Sequence, residues 1–233
     1  MLALIGGCWL GFLIGLRHAL DPDHLAAIST LLVERPQRWR AAALGAWWGI
    51  GHSAALLAAG ALLLACRARL PQRWTEVFEL GVSLMLIGLG ARSLRRSLRP
   101  RGEAVPHAHG GVVHVHEAEI EASAGAGHFH VRSWTVARRP FLVGIVHGLA
   151  GTGGITALAL ASMPNLAAAL AYVAVFALGS IGGMALLTGL AGVPMERLAR
   201  RPAAHAVLMA SVGAASLLVG VVWGIPILGR LVS

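Results

Sequence analysis

The sequence predicts an all-α polytopic membrane protein with about six transmembrane helices. The chain of 233 residues is 57% hydrophobic and only 12% charged, whereas a soluble domain carries about 25% charged residues. Its apolar residues gather into blocks that approach or exceed the roughly 20 residues that cross a bilayer. An alanine-rich soluble helical protein is the alternative, but the apolar content exceeds what one water-surrounded core can use.

Six apolar blocks carry this prediction. The first is too long for one straight helix and contains a proline in its second half, and the third is short. The blocks are residues 2–33, 41–65, 76–91, 141–163, 166–192 and 203–228.

The basic residues predict the orientation of these spans. The chain has no lysine, and fourteen of its nineteen arginines fall in the segments after the first, third and fifth blocks. Because cytoplasmic loops carry an excess of positive charge, we predict a multi-pass protein of the cytoplasmic (inner) membrane, with both termini outside and the long loop in the cytoplasm. The net charge of +9 therefore reflects membrane topology, and no motif for nucleic-acid binding accompanies it.

Similar segments recur about 130 residues apart. GLRHALDPDHLAAI at Gly15 aligns with GIVHGLAGTGGITA at Gly144, and GHSAALLAAG at Gly51 aligns with GSIGGMALLTG at Gly179. Three spans per half would place the second copy upside down, as in the inverted repeats of secondary transporters. The predicted organisation is a first three-helix repeat, a His-rich cytoplasmic loop and a second three-helix repeat, over residues 1–92, 93–139 and 140–233.

The first block contains a charged motif. GLRHALDPDHLAAIST, residues 15–30, holds an arginine, two histidines and the only two aspartates of the chain. Each Asp or Arg at the centre of a span costs about 2.5–3.5 kcal/mol on insertion, so such groups normally face the bundle interior and mark an ion pathway. Pro22 lacks an N–H and crowds the preceding turn. We therefore predict a helix that breaks near Asp21 and restarts near Asp23.

This motif predicts a metal site. His18, Asp23 and His24 offer two imidazoles and a carboxylate, which suit a borderline divalent ion such as Ni²⁺, Co²⁺ or Zn²⁺. Asp21 is a further candidate ligand, and Arg17 is its predicted partner.

Two histidines elsewhere are candidates to complete the shell around this ion. His52 lies in the second block, and His147 occupies the repeat position of His18. For both, the alternative is a buried structural histidine.

The long loop predicts weaker metal binding. It holds six of the eleven histidines in three His-x-His pairs, in which i and i+2 point the same way in an extended chain. The pairs are His107/His109, His114/His116 and His128/His130. The Gly/Ala/His-rich composition predicts no regular structure without metal, and a solvated linker is the alternative.

Two motifs resemble the nickel/cobalt transporter family. RHALDPDHLAAI is similar to the family's His-x4-Asp-His signature, which falls on His18, Asp23 and His24, and GIGHSAALL resembles its Gly-His-Ser motif at His52. The family typically has eight spans and a later acidic motif, which HGLAGTGGIT lacks. The resemblance therefore implies a short six-span relative, similar to urease-accessory or hydrogenase-associated nickel permeases.

The resulting hypothesis is a secondary permease for Ni²⁺ and/or Co²⁺, with uptake favoured and Zn²⁺ as another candidate ion. The ion is cargo, so no prosthetic group is expected. The expected partners are the lipid bilayer, the metal ion and a cytoplasmic metallochaperone. The alternatives are a divalent metal exporter, a metal-binding sensor or subunit without transport of its own, and an intramembrane metal hydrolase or oxidase. The sequence lacks the HExxH pair that an intramembrane metal hydrolase would use, so we predict that the protein is not an enzyme.

Overall fold

The computed structural model describes residues 2–34, 38–66, 68, 70–98, 106–109, 112–115 and 132–232. Within these residues the chain forms seven helices and one two-stranded sheet. The helices are α1 (Leu2–His18), α2 (Pro22–Glu34), α3 (Arg38–Ala65), α4 (Gln72–Ser97), α5 (Arg132–Ser162), α6 (Leu166–Ala199) and α7 (Pro202–Val232). The strands are β1 (Pro106–His109) and β2 (Val112–Val115).

The first apolar block forms two helices rather than one. α1 ends at His18 and α2 begins at Pro22, because proline suits the first helical position, where its missing N–H would have no partner anyway. In the turn between them, the Leu20 N–H donates to the Arg17 carbonyl at 2.8 Å. The Asp21 N–H donates to the His18 carbonyl at 3.1 Å. The predicted break is therefore confirmed, and it leaves two helix ends within an apolar stretch.

Four helices in the described part of the chain are long and apolar enough to cross a bilayer. They are Arg40–Ala65, Gln72–Ser97, Leu166–Ala199 and Pro202–Val232. α6 has 34 residues and is about 51 Å long at 1.5 Å per residue, against about 30 Å of hydrocarbon. Large apolar side chains are exposed on the outside of these helices, including Leu62, Leu84, Leu178 and Leu218. The fold is that of a mostly helical, polytopic membrane protein.

The segment between α4 and α5 differs from the expectation in two ways. α4 extends to Ser97 and α5 begins at Arg132, so both helices include part of residues 93–139, which were expected to form a loop. Arginine ends an apolar block without ending a helix. β1 and β2 pair antiparallel, with His107 opposite His114, where no regular structure was expected. The sequence carries a signal for this hairpin, since histidine alternates with other residues on both sides of a Gly-Gly dipeptide.

Helix packing runs mainly between the two halves of the chain. α1 packs on α6, α3 on both α5 and α6, and α4 on α7. Where α1 meets α6, a side chain added at Gly15 would overlap the Phe176 carbonyl oxygen, and one added at Gly179 would overlap that of Phe12. These glycines therefore allow the two backbones to touch.

Glycines also allow the backbones of α3 and α5 to touch. A side chain at Gly144 would overlap the carbonyl oxygen of Trp48, and one at Gly51 would overlap that of Phe141. Gly148 lies equally close to the His52 backbone. The close crossing brings His52 of α3 and the middle of α5 to the same depth in the bundle.

Buried serines join α4 to α7. The Ser93 hydroxyl donates to the Met209 carbonyl at 2.9 Å, and the Ser216 hydroxyl donates to the Leu86 carbonyl at 3.0 Å. The later residue of α4 therefore bonds to the earlier residue of α7, so the two helices run antiparallel. The start of α4 lies beside the end of α7.

Candidate metal centre

The break between α1 and α2 gathers four ionisable side chains. His18 ends α1, Asp21 lies in the turn, and Asp23 and His24 fall in the first turn of α2. The His18 Nδ1 is 2.6 Å from the Asp21 Oδ2. The His24 Nδ1 is 3.5 Å from the Asp23 Oδ1. The two imidazole rings meet edge to face with centroids 4.5 Å apart.

His52 of α3 and His147 of α5 face this break from two further helices. The His52 ring centroid lies 5.1 Å from that of His18 and 5.3 Å from that of His24. The His147 centroid lies 4.9 Å from that of His24, and its Nε2 is 3.8 Å from the Asp23 Oδ2. All six side chains predicted for the intramembrane site are therefore neighbours.

Two of the four imidazoles are oriented through Nδ1. The His147 Nδ1 is 3.0 Å from the Val143 carbonyl oxygen, which can only accept, so Nδ1 carries the proton. His18 Nδ1 likewise faces the Asp21 carboxylate. In each neutral ring, Nε2 then presents a lone pair. An oxygen acceptor behind the ring is the arrangement that metal-binding histidines normally have.

Six imidazole nitrogens in this centre are buried without a hydrogen-bond partner among the residues that the structure describes. They are His18 Nε2, both ring nitrogens of His24, both ring nitrogens of His52, and His147 Nε2. Each unsatisfied buried polar atom costs about 1–3 kcal/mol, and native proteins contain few of them. Because each of the four neutral rings offers one lone pair, this cluster indicates a site for a ligand that accepts lone pairs.

The donor atoms form two overlapping groups of three. In each group the atoms lie within 4.8 Å of one another, and the groups are His18 with His24 and His52, and Asp21 with Asp23 and His24. Asp23 also lies in the first turn of α2, where the helix dipole favours a carboxylate. Imidazole nitrogen combined with carboxylate oxygen suits borderline divalent transition-metal ions.

Arg17 is not the ion-pair partner of Asp21 in the described structure. The Arg17 side chain is exposed, and Asp21 pairs with His18 instead. Residues 17 and 21 would share a face in a continuous helix. Because α1 ends at His18, the turn directs the Asp21 carboxylate towards the His18 ring and not towards Arg17.

Two aromatic side chains beside the site are functional candidates that the sequence analysis missed. Trp48 is fully buried, with its ring centroid 5.0 Å from that of His24 and 5.6 Å from that of His147. Phe176 lies 5.4 Å from His18. The signal for Trp48 was its position one helical turn before His52, which places both on one face of α3. Both rings exclude water from the imidazoles.

The loop histidines contribute no described contact to this centre. His107 and His109 lie on β1, and His114 lies on β2. His116, His128 and His130 lie outside the described residues.

A family profile described as high-affinity nickel-transport protein matches residues 4–233. The chain belongs to the high-affinity nickel-transport protein family. The resemblance drawn from the His-x4-Asp-His motif is thereby confirmed at the family level. No solved structure matches the chain.

Three relatives show how far the similarity extends. The chain is 30% identical over 212 residues to urease accessory protein UreH of Bacillus sp. (strain TB-90), covering 91% of this chain and 87% of that protein. It is 29% identical over 202 residues to chloroplast protein FOR GROWTH AND FERTILITY 2 of Arabidopsis thaliana, covering 84% and 49% respectively. It is 35% identical over 79 residues to the high-affinity nickel transport protein of Cupriavidus necator, covering 34% and 22%.

Proposed function

We propose that this protein is a secondary transporter that carries Ni²⁺, and also Co²⁺, into the cell across the cytoplasmic membrane. The observation that carries the proposal is the group of six buried imidazole nitrogens without partners at a break between two helices. The name of the Cupriavidus relative supports nickel as the cargo, and that of the Bacillus relative supports an accessory role to an enzyme. We assign the protein no enzymatic reaction, because its family is one of transport proteins.

In this proposal the ion binds three imidazoles and one carboxylate. His18, His24 and His52 supply the nitrogens and Asp23 supplies the oxygen, with His147 as a fifth donor. Ligand atoms about 2.1 Å from a metal ion lie no more than about 4.2 Å apart. The donor atoms of His18, His24 and His52 lie within 4.8 Å of one another, as do those of Asp21, Asp23 and His24, so within each group small side-chain movements would close them around the ion. A site whose ligands are not closed tightly before the ion binds suits a cargo that must also leave. Zn²⁺ would compete with Ni²⁺ for this site.

Asp21 acts as a positioning residue, because it holds the His18 ring from behind. We expect Asp21→Asn to weaken Ni²⁺ binding by about 10–100-fold, measured by titration of the purified protein. Asp21→Glu keeps the carboxylate and should recover part of the affinity. The matched control is Glu196→Gln, which removes a carboxylate that pairs with Arg200 at the far end of α6. An unchanged Kd for Ni²⁺ in Asp21→Asn would contradict this role, and a lower melting temperature of the metal-free protein would indicate a structural one.

The architecture that we propose is an inverted repeat of three spans plus three. α1 and α2 together would be the counterpart of α5, α3 that of α6, and α4 that of α7. Residues 141–162 of α5 contain no charged residue, which supports a span there. Equivalent contacts also support it: Gly15 packs on the Phe176 backbone as Gly144 packs on that of Trp48, at offsets close to 130.

We propose that the loop between the repeats lies in the cytoplasm, with both termini outside, and that it binds metal weakly. The hairpin register places His107 opposite His114. The proposed ligands are the three His-x-His pairs, His107/His109, His114/His116 and His128/His130. The loop would collect incoming ions and pass them to a metallochaperone.

Metal accumulation in cells tests the transport function and its direction. Cells that express the protein should accumulate several-fold more ⁶³Ni²⁺ than cells that express Asp23→Asn at the same level. Excess Co²⁺ should compete, and excess Mg²⁺ should not. Lower accumulation in the expressing cells would identify an exporter, and equal accumulation together with tight Ni²⁺ binding would identify a sensor or subunit.

A further inference from the structure

A cavity of about 480 Å³ adjoins the metal centre. Its wall includes His24 and His147, each only 2% exposed. The Nε2 atoms of both rings have no hydrogen-bond partner within the described ranges. The wall also includes Glu79 of α4 and Arg230 of α7. The cavity therefore connects the unpartnered imidazoles to two charged side chains that the metal centre does not use.

These charged side chains mark one end of the helix bundle. Glu79 lies near the start of α4 and Arg230 near the end of α7, and the two helices run antiparallel. The segments rich in arginine follow α2, α4 and α6 at the opposite end. Since that opposite end is predicted to be cytoplasmic, the cavity leads to the outer side of the membrane.

An ion pair between Glu76 and Arg230 lies at the rim of the cavity. The Arg230 Nε donates to the Glu76 Oε1 at 2.9 Å, and the Gln72 side-chain amide donates to the same oxygen at 3.3 Å. Glu76 is buried, whereas the Arg230 side chain is half exposed. Glu76 thus opposes a positive charge that would otherwise repel a cation at the rim, and Glu79 adds a further carboxylate to the wall.

We propose that this cavity is the outer vestibule of the transport path, and that Glu79 is a transient ligand that passes divalent cations to His24 and His147. The inference rests on the proposed function and adds the route by which the ion arrives. A carboxylate in a narrow cleft with low-dielectric walls raises the local concentration of cations. It also binds divalent metal ions less tightly than a cluster of imidazoles does, so the ion moves inwards.

The kinetic signature of such a residue is a change in KM rather than in maximal rate. Glu79→Gln should raise the KM for ⁶³Ni²⁺ uptake about tenfold at low ionic strength, with the maximal rate within about twofold of wild type. High salt should narrow this difference, because it screens the Glu79 charge in the wild type. Glu196→Gln, at the opposite end of the bundle, should leave KM unchanged.

The ion pair at the rim gives a second signature. Glu76→Gln should also raise KM, because the Arg230 charge is no longer opposed by Glu76. The double variant Glu76→Gln/Arg230→Gln removes both charges and should restore KM towards the wild-type value. A double variant with the same high KM as Glu76→Gln would overturn the role of this ion pair.

Thiol labelling tests the vestibule independently of transport. Cys66 is exposed and follows α3 at the same end of the bundle, so in a Cys8→Ser background it reports which side faces out. Glu79→Cys in a Cys8→Ser/Cys66→Ser background should react with a membrane-impermeant cationic thiol reagent added to whole cells, and Ni²⁺ should slow the reaction. Leu84→Cys, on the exposed apolar surface of α4, should not react.

The outcomes separate this inference from the proposed function. If Asp23→Asn abolishes uptake while Glu79→Cys stays unlabelled from outside and Glu79→Gln keeps a normal KM, the vestibule is wrong and the transporter stands. If Glu79→Cys reacts only in inside-out vesicles, the cavity opens to the cytoplasm and the outer vestibule is overturned. If Asp23→Asn transports Ni²⁺ normally, the transport site itself is wrong.

Discussion

Asp23→Asn is expected to abolish Ni²⁺ transport, with an uptake rate at least about 100-fold below that of the wild type. Asparagine keeps the size of the side chain but removes the negative charge. Among the described residues, Asp23 is the only carboxylate that approaches the imidazoles of both His24 and His147. A divalent ion stripped of water in a lipid span needs that charge. The measurement is ⁶³Ni²⁺ uptake by purified protein in liposomes.

Folding must be intact for this result to be informative. Asp23→Asn should elute as a single species in detergent and melt within a few degrees of wild type, since the substitution changes charge and hardly changes shape. His24→Ala should give the same loss of transport, because His24 belongs to both groups of donor atoms. Uptake at the wild-type rate in either well-folded variant would refute the site.

The second large effect concerns stability. Gly144→Val is expected to destabilise the protein by about 3 kcal/mol or more, the upper end of the range for overpacking. The added Cβ would overlap the Trp48 carbonyl oxygen and lie 2.7 Å from the His52 nitrogen, and neither backbone atom can move aside without separating α3 from α5. The measurement is the melting temperature in detergent, together with the yield of monodisperse protein.

Gly182→Val is the matched control for this substitution. Gly182 is also a helical glycine, but an added Cβ there meets no atom within 4 Å. The control should express and melt like wild type. If Gly144→Val is as stable as Gly182→Val, the close crossing of α3 and α5 does not stabilise the metal centre.

The part of the metal centre at the break between α1 and α2 could be predicted because its chemistry is local in sequence. Asp21, Pro22 and Asp23 combine two charges with a helix breaker inside an apolar block, and both signals act within one turn. The break follows directly from the covalent structure of proline. The predicted pairing of Asp21 with Arg17 is wrong, because α1 ends at His18 and the turn brings the Asp21 carboxylate to the His18 ring instead.

Other features could not be predicted because they depend on contacts between distant residues. Trp48 of α3 lies against His147 of α5, and Glu76 pairs with Arg230, which lies 154 positions later in the sequence. Periodicity indicates which face of a helix is buried, but it does not identify the partner helix. The proposed vestibule requires α4 and α7 to lie side by side, and neither segment alone identifies the other as its neighbour.

The contacts that run between the two halves of the chain have a consequence for biogenesis. α1 and α3 leave the ribosome well before α5 and α6, the helices on which they pack. During synthesis the first half must therefore wait in the bilayer with its glycine surfaces uncovered and its charged turn unsheltered. Residues 2–98 and 132–232 produced as two separate polypeptides should accumulate only when they are made together.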